Sequence, residues 1–396
     1  MTGLRQCPLA GVLVADFSRI LAGPYATMSL ADLGARVVKV ERPEVGDDTR
    51  AWAPPRSATG STYFDSVNRN KQSLALDLTD AADRRLAAEL VQRADVVIEN
   101  FRPGTMERYG LGYQEVREAN PGVIYASITG FGSGAGADYL GYDFLVQAVG
   151  GLMSVSGSAD GPPTKAGVAL VDVLTGKDAE IGILAALFAR QHTGEGARIE
   201  VNLLSSLQAA LVNQAQAYLG AGVVASRMGN AHPSIAPYQL LECADHPLAI
   251  ACGNDGQFGA LAREIGLPEL TTDSRFATNA ARVANRTALV HILEAALALD
   301  TAQSWTRRLV KVHVPAGPVA TIDEGIRFAQ SLGLSPTMSV HDSAGNPVAS
   351  QIRSPITWLP AFEPPSSAPP QLGEHSEALR AWLSDDQQAR VNRLPE

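Results

Sequence analysis

Asp172 stands at a junction where a carboxylate could do chemistry. It follows the apolar run Val168-Ala169-Leu170-Val171 and opens a helical stretch, residues 172–190, rich in Ala, Leu and Ile. There the positive end of the helix dipole favours the ionised form, and an ionised carboxylate can attack an activated acyl group. The same position suits a helix N-cap, a common use of Asp. Spacing alone leaves both roles open. Other patterns carry less. Gly132-Ser133-Gly134-Ala135-Gly136 departs from the G-x-G-x-x-G spacing, has no Walker lysine, and reads as a plain flexible loop. At the first strand-to-helix turn the chain has Arg19-Ile20-Leu21-Ala22-Gly23-Pro24 instead of a glycine fingerprint, which argues against a bound nicotinamide dinucleotide. The seven histidines show neither H-x-x-x-H nor H-E-x-x-H spacing, so no metal site is expected. Ser154-Val155-Ser156-Gly157 is not a nucleophile elbow.

These residues need a scaffold, and the first two hundred positions supply one. Short β-branched runs at 12–16, 36–40, 73–78, 95–98, 123–128 and 198–201 alternate with helical patterns at 25–33, 80–93, 114–119, 172–190 and 203–219. Strands separated by helices imply crossover connections and a mostly parallel sheet covered on both faces. The fold class expected is α/β: a Rossmann-like large domain with a mostly parallel sheet, plus a smaller α+β domain. Residues 1–220 form the first part of the large domain, 225–315 the small domain, and 316–396 a return segment completing the large one. Within that return, 338–352 reads as a hairpin and the Pro-rich run 360–370 as a surface strap.

Composition narrows the function classes. The 396 residues carry 32 Lys and Arg against 41 Asp and Glu, a net charge of −9, with no basic stripe for nucleic acid or an anionic membrane. Apolar stretches are broken by charges well before the roughly 18 residues of a membrane span. Cys7, Cys243 and Cys252 are too scattered for a disulfide framework, which fits a reducing compartment; a cytoplasmic protein is expected.

Ordered blocks along nearly the whole chain resemble the class III CoA-transferase family, which also includes acyl-CoA racemases. They are Asp16-Phe17-Ser18-Arg19-Ile20-Leu21-Ala22-Gly23-Pro24-Tyr25, Leu33 to Pro43 with Gly46-Asp47, Asn68-Arg69-Asn70-Lys71-Gln72-Ser73 and Glu99-Asn100-Phe101-Arg102-Pro103-Gly104. Further blocks are Gly141-Tyr142-Asp143, Gly161-Pro162-Pro163, Asp172-Val173-Leu174-Thr175-Gly176 and Leu372-Gly373-Glu374-His375. The resemblance implies an interlocked homodimer and an enzyme that moves CoA from an acyl-CoA donor to a free carboxylic acid. Asp172 would be the nucleophile, passing through a mixed anhydride and an aspartyl-CoA thioester. By the same resemblance Arg42 stacks on the adenine, Arg102 and Arg108 meet the phosphates, and Ile20, Ala22 and Leu76 line the nucleotide cleft. Tyr142 faces substrate, His232 lies in a loop reaching the acyl pocket, and acyl-CoA is a substrate with no tightly bound cofactor implied.

A racemase of the same fold is the competing reading, and a catalytically silent CoA-binding protein is a third. In racemases a histidine stands in a Gly-His-Asp block; here Tyr142 takes that place, and a phenol is a poor base at neutral pH. The chain also lacks the tetraglycine loop of oxalate-type members between 225 and 260, and Leu140 stands near where several relatives carry a basic residue.

Overall fold

A computed structural model describes residues 6–385. Six strands form one parallel sheet: β1 (Leu13–Asp16), β2 (Arg36–Glu41), β3 (Lys71–Ala75), β4 (Val96–Glu99), β5 (Ile124–Thr129) and β6 (Ala197–Asn202), in the order β3-β2-β1-β4-β5-β6. The central strand β1 pairs with β2 through Val14↔Val37 and with β4 through Val14↔Val96. The sheet is therefore doubly wound, and its strand order reverses direction between β1 and β4. Val14, Ala15, Val96, Val97 and Ile98 are all fully buried, as strands covered on both faces must be.

Helices Ala22–Asp32 and Leu170–Thr193 pack together, while Ala81–Arg93 shares a core with the C-terminal helix Ser376–Ser384, where Leu90 and Val91 meet Leu379 and Leu383.

Three elements differ from the sequence reading for identifiable reasons. The first helix starts at Ala22, ahead of the Gly23-Pro24 pair, because Pro24 falls in the first turn, where no N–H is required. Strand β3 occupies 71–75 instead of 73–78: Lys71 is buried at its start, its Nζ 3.2 Å from Asp16 Oδ2 and 2.9 Å from Asn68 Oδ1, so a charge opens the strand. The helix expected over 203–219 is two, Leu203–Ala210 and Val212–Ala221, with Val212 in the left-handed region at φ 35°.

The chain divides into two units. The first holds residues up to 150, 166–216 and those from 335 onward. Within it, the return segment supplies an antiparallel hairpin at 337–341 and 347–352 and then the 360–370 strap. The Asn70 N–H donates to Ser367 O at 3.1 Å, and the Arg50 guanidinium donates to Pro370 O at 3.1 Å, so the strap runs along the β3 side of the sheet.

The second unit holds Gly151–Lys165 and Ala217–Leu334. It contains the antiparallel sheet β7 (Tyr238–Leu241), β8 (Leu248–Ala251) and β9 (Ala316–Pro318), over a core that includes Phe258, Leu289, Leu293 and Trp305. This unit extends past the expected boundary at 315 because β9 pairs with β8, through Ile250↔Ala316 and Leu248↔Pro318. It also takes in 151–165, which the sequence pattern assigned to the large domain. No helix among the described residues is long and apolar enough to cross a membrane.

Candidate active site

In open α/β sheets ligands bind beyond the carboxyl ends of the strands, where the strand order reverses. Here that point is the end of β1 and β4, and a cleft of ≈ 320 Å³ opens there in the first unit. Ile20, Ala22, Asn100, Arg102, Tyr142 and Asp172 all line it. A smaller recess of ≈ 150 Å³, lined by Arg42, Gly46, Leu76 and Thr105, adjoins it and shares Arg19 and Phe101 as a common wall.

Asp172 reaches the cleft because two helices approach closely. One turn beyond it, a Cβ on Gly176 would meet the carbonyl oxygen of Ala22 at 2.6 Å and Tyr25 Cδ1 at 3.2 Å. Only glycine lets the helix Leu170–Thr193 lie this near the start of Ala22–Asp32, so that Asp172 and Ala22 line the same cavity.

Asp172 is not the N-cap. It is the third residue of its helix, and the capping position, Ala169, has no side-chain bond to offer. The capping bonds come instead from Asp143, whose Oδ1 accepts the N–H of Val171 at 2.8 Å and, more weakly, that of Asp172 at 3.4 Å. Buried Gln147 holds Asp143 in turn: its Nε2 donates to Asp143 Oδ2 at 2.7 Å, and its Oε1 accepts the Ala166 N–H at 2.8 Å. The Asp172 carboxylate is thus left free of structural duty.

The electrostatics also differ from the sequence expectation. Burial, and after it the negative charge of Asp143, pushes the Asp172 carboxyl up to about 7, so the helix dipole does not hold it fully ionised at neutral pH. No cation or hydrogen-bond donor among the described residues offsets these effects. A carboxylate with raised basicity and no partner is a stronger nucleophile once ionised than a salt-bridged one.

The structure thus brings Asp172, Ile20, Ala22, Arg102 and Tyr142 into one cleft and places Arg42 and Leu76 in the adjoining recess. Leu76 is buried, whereas Arg42 is exposed and bonded to Asp48 at 2.7 Å. Arg108 lines neither cavity; it is exposed and donates to Thr105 Oγ1, a wall of the recess, at 3.3 Å. His232 belongs to the second unit, where its ring lies 5.1 Å from that of Tyr238 and its Nδ1 accepts the Ser234 N–H at 3.1 Å.

Several site residues escape the sequence reading. Arg19 and Asn100 sit inside recognised blocks, yet only the geometry shows that they form the cleft wall. Asp143 follows Tyr142 in its block, and no periodicity signals a cap supplied by another helix. Tyr63, on the short helix Thr62–Asp65, is pushed up to about 12 by burial and by the charges of Asp172 and Asp143. The glycine loop turns out to be part of the site: Gly132 and Gly136 line the cleft, and the backbones of Gly130 and Gly141 cross so closely that neither position has room for a side chain. No group of three His, Cys, Asp or Glu side chains among the described residues is arranged to hold a metal ion.

The family model for CoA-transferase family III matches residues 9–376. The chain is 42% identical to a succinate–glutarate CoA-transferase of Agrobacterium fabrum, covering 96% of each chain, and 41% identical to an acetyl-CoA:oxalate CoA-transferase of Acetobacter aceti, covering 94% and 95%. A crystal structure of a CAIB/BAIF family protein from Brucella suis superposes with a TM-score of 0.86 at 43% identity, covering 96% of this chain and all of that one. With its doubly wound sheet and its cleft at the strand-order reversal, the chain belongs to CoA-transferase family III.

Proposed function

We propose that this enzyme transfers CoA between dicarboxylic acids by covalent catalysis at Asp172. The observation that carries this reading is the Asp172 carboxylate itself, lining the cleft with no hydrogen bond or ion pair from the described residues to occupy it. In the first step its oxygen attacks the thioester carbonyl of the donor, the C–S bond breaks, and CoA leaves as a thiolate beside an aspartyl–acyl anhydride. The thiolate then attacks the aspartyl carbonyl, releasing the donor acid and leaving an aspartyl-CoA thioester. The acceptor carboxylate repeats the two steps in reverse, restoring Asp172 and yielding a new acyl-CoA. Each hard exchange is split into reversible acyl transfers, and a cleft walled by Ile20, Leu21 and Ala22 helps keep water from the anhydride.

The nucleotide end of CoA fits the adjoining recess, with Arg42 stacking on the adenine over Leu76, Arg102 meeting the phosphates from the main cleft and Arg108 meeting them from beside Thr105. Tyr142, which lines the cleft, faces the acyl group. The dicarboxylate preference rests on relatives named for succinate, glutarate, oxalate and mesaconate. A homodimer is part of the same reading: Ile181 and Phe188 on the helix Leu170–Thr193 are both more than 60% exposed, an apolar row that a second copy of the chain would cover. Its three cysteines are unpaired, which suits work in the cytoplasm.

Asp172→Ala tests the reading. The variant should bind CoA normally and lose CoA transfer; transfer at the wild-type rate would overturn the nucleophile role. Exchange of the α-proton of an acyl-CoA with deuterated solvent, without transfer to an acceptor, would favour the racemase instead.

A further inference from the structure

The turn that joins β1 to the first helix is held in an unusual way. Ile20, which lines the cleft, has φ 71°. For a β-branched side chain the left-handed region is a genuine outlier, and such residues persist only where the surroundings over-determine them.

Here five consecutive backbone polar groups are bonded by side chains from other parts of the unit. Asp16 Oδ1 accepts the Ser18 N–H at 2.9 Å, and Lys39 Nζ donates to Ser18 O at 2.8 Å. Asn100 takes both groups of the next residue, its Oδ1 accepting the Arg19 N–H at 2.8 Å and its Nδ2 donating to Arg19 O at 2.7 Å. The Asp47 carboxylate then accepts the Ile20 N–H at 3.2 Å and 3.3 Å.

The clamp is itself rigid. Asp47 is buried and paired with buried Lys39 at 2.9 Å, and it also accepts the Thr49 N–H and hydroxyl at 3.0 Å and 2.8 Å. Gly23 completes the arrangement, since any side chain there would collide with Ser18. An ordinary strand-to-helix turn needs none of this. The bonds are spent on fixing one conformation of residues 18–20, and that conformation forms the wall facing Asp172.

We propose that Asp47 and Asn100 are positioning residues that force Ile20 into the left-handed conformation and so fix the cleft wall against which the acyl group is aligned for attack. The kinetic part of this proposal rests on Asp172 being the nucleophile; the conformational part does not. Acyl transfer needs reacting atoms held in near-attack geometry, and a displacement of about 1 Å can cost about 100-fold in rate. Neither residue need touch the reacting atoms to have that effect.

The test is a double-mutant cycle between Asp47→Asn and Ile20→Gly, read by both thermal unfolding and CoA-transfer kinetics. Glycine adopts the left-handed region without strain, so a clamp is no longer needed to hold it there. In the Ile20 background Asp47→Asn should lower kcat by up to about 100-fold, with a much smaller change in the KM for acyl-CoA. In the Ile20→Gly background the same substitution should cost at least about tenfold less, a coupling within the range seen for groups in direct contact. Ile20→Gly should also unfold at a higher temperature than Ile20→Ala, which keeps the strain. If Asp47→Asn yields no folded protein, Asn100→Ala enters the same cycle, because it frees residue 19.

Rate losses that simply multiply, with unfolding temperatures that simply add, would overturn the proposal. Coupling in unfolding temperature without coupling in kcat would overturn its catalytic part alone. Failure of the Asp172 reading would show differently, as transfer that survives Asp172→Ala.

Discussion

At the scale of single residues, the account turns on a carboxylate whose affinity for protons is set by its surroundings. Burial raises Asp172 to about 7, so the ionised carboxylate accumulates as pH rises through neutrality. The kcat/KM for acyl-CoA should therefore rise with pH along a limb centred near 7, since that parameter reports the free enzyme. Asp143→Asn should move the limb to lower pH: the amide oxygen can still cap Val171, while the charge that adds to the effect of burial is gone. Glu99, buried at the end of β4 and also raised to about 7, titrates in the same range, and the Asp143→Asn shift assigns the limb to Asp172. The same shift has a stability consequence. With the folded value above the ordinary 3.8, the contribution of Asp172 is fully present below that value and is lost as pH rises through about 7. Asp172→Asn should accordingly gain thermal stability over the wild type at about pH 8 and lose that advantage in acid. Arg42→Ala, which removes the cation from the recess, should raise the KM for acyl-CoA several-fold with kcat little changed, as expected for loss of uniform binding.

At the scale of elements, the helix pair Ala22–Asp32 and Leu170–Thr193 sets the site. Gly176→Ala places a methyl group against the Ala22 carbonyl and should cost about 1–3 kcal/mol of stability, the usual penalty for overpacking, together with a loss of CoA transfer. Thermal unfolding and a transfer assay check it; wild-type values in both would show that the helices need not touch there. Elements of this kind were only partly legible. The runs 12–16 and 95–98 announce strands because β-branched residues crowd between turn signals, and β1 and β4 fall within one residue of them. The start of β3 was hidden because Lys71 looks like a surface residue until Asp16, 55 positions earlier, is seen to pair with it. Whether Asp172 caps its helix could not be read locally, because the group that takes the cap comes from Asp143, 29 residues away.

At the scale of the whole molecule, alternating strands and helices announced a parallel sheet, yet not the order β3-β2-β1-β4-β5-β6 that creates the crevice between β1 and β4. Strand order is a matter of long-range pairing, which periodicity does not encode. About half of the residues that line the cleft, among them Ile20, Ala22, Arg102 and Tyr142, fall in the motif blocks. They did not reveal that Ile20 is held left-handed, since that depends on Asp47 and Asn100 converging from separate segments. The exposed apolar row on Leu170–Thr193 belongs to this scale too: sedimentation of the purified enzyme should give a dimer, and Phe188→Glu should shift it toward monomer.

The most direct measurement is the intact mass of the enzyme after incubation with succinyl-CoA, followed by peptide mapping. Covalent catalysis predicts a species heavier by one CoA less one water, removed by hydroxylamine, carried on the peptide that contains Asp172 and absent from Asp172→Ala. Turnover in the presence of an acceptor acid with no such adduct under any condition, or an adduct that maps to another residue, would contradict it.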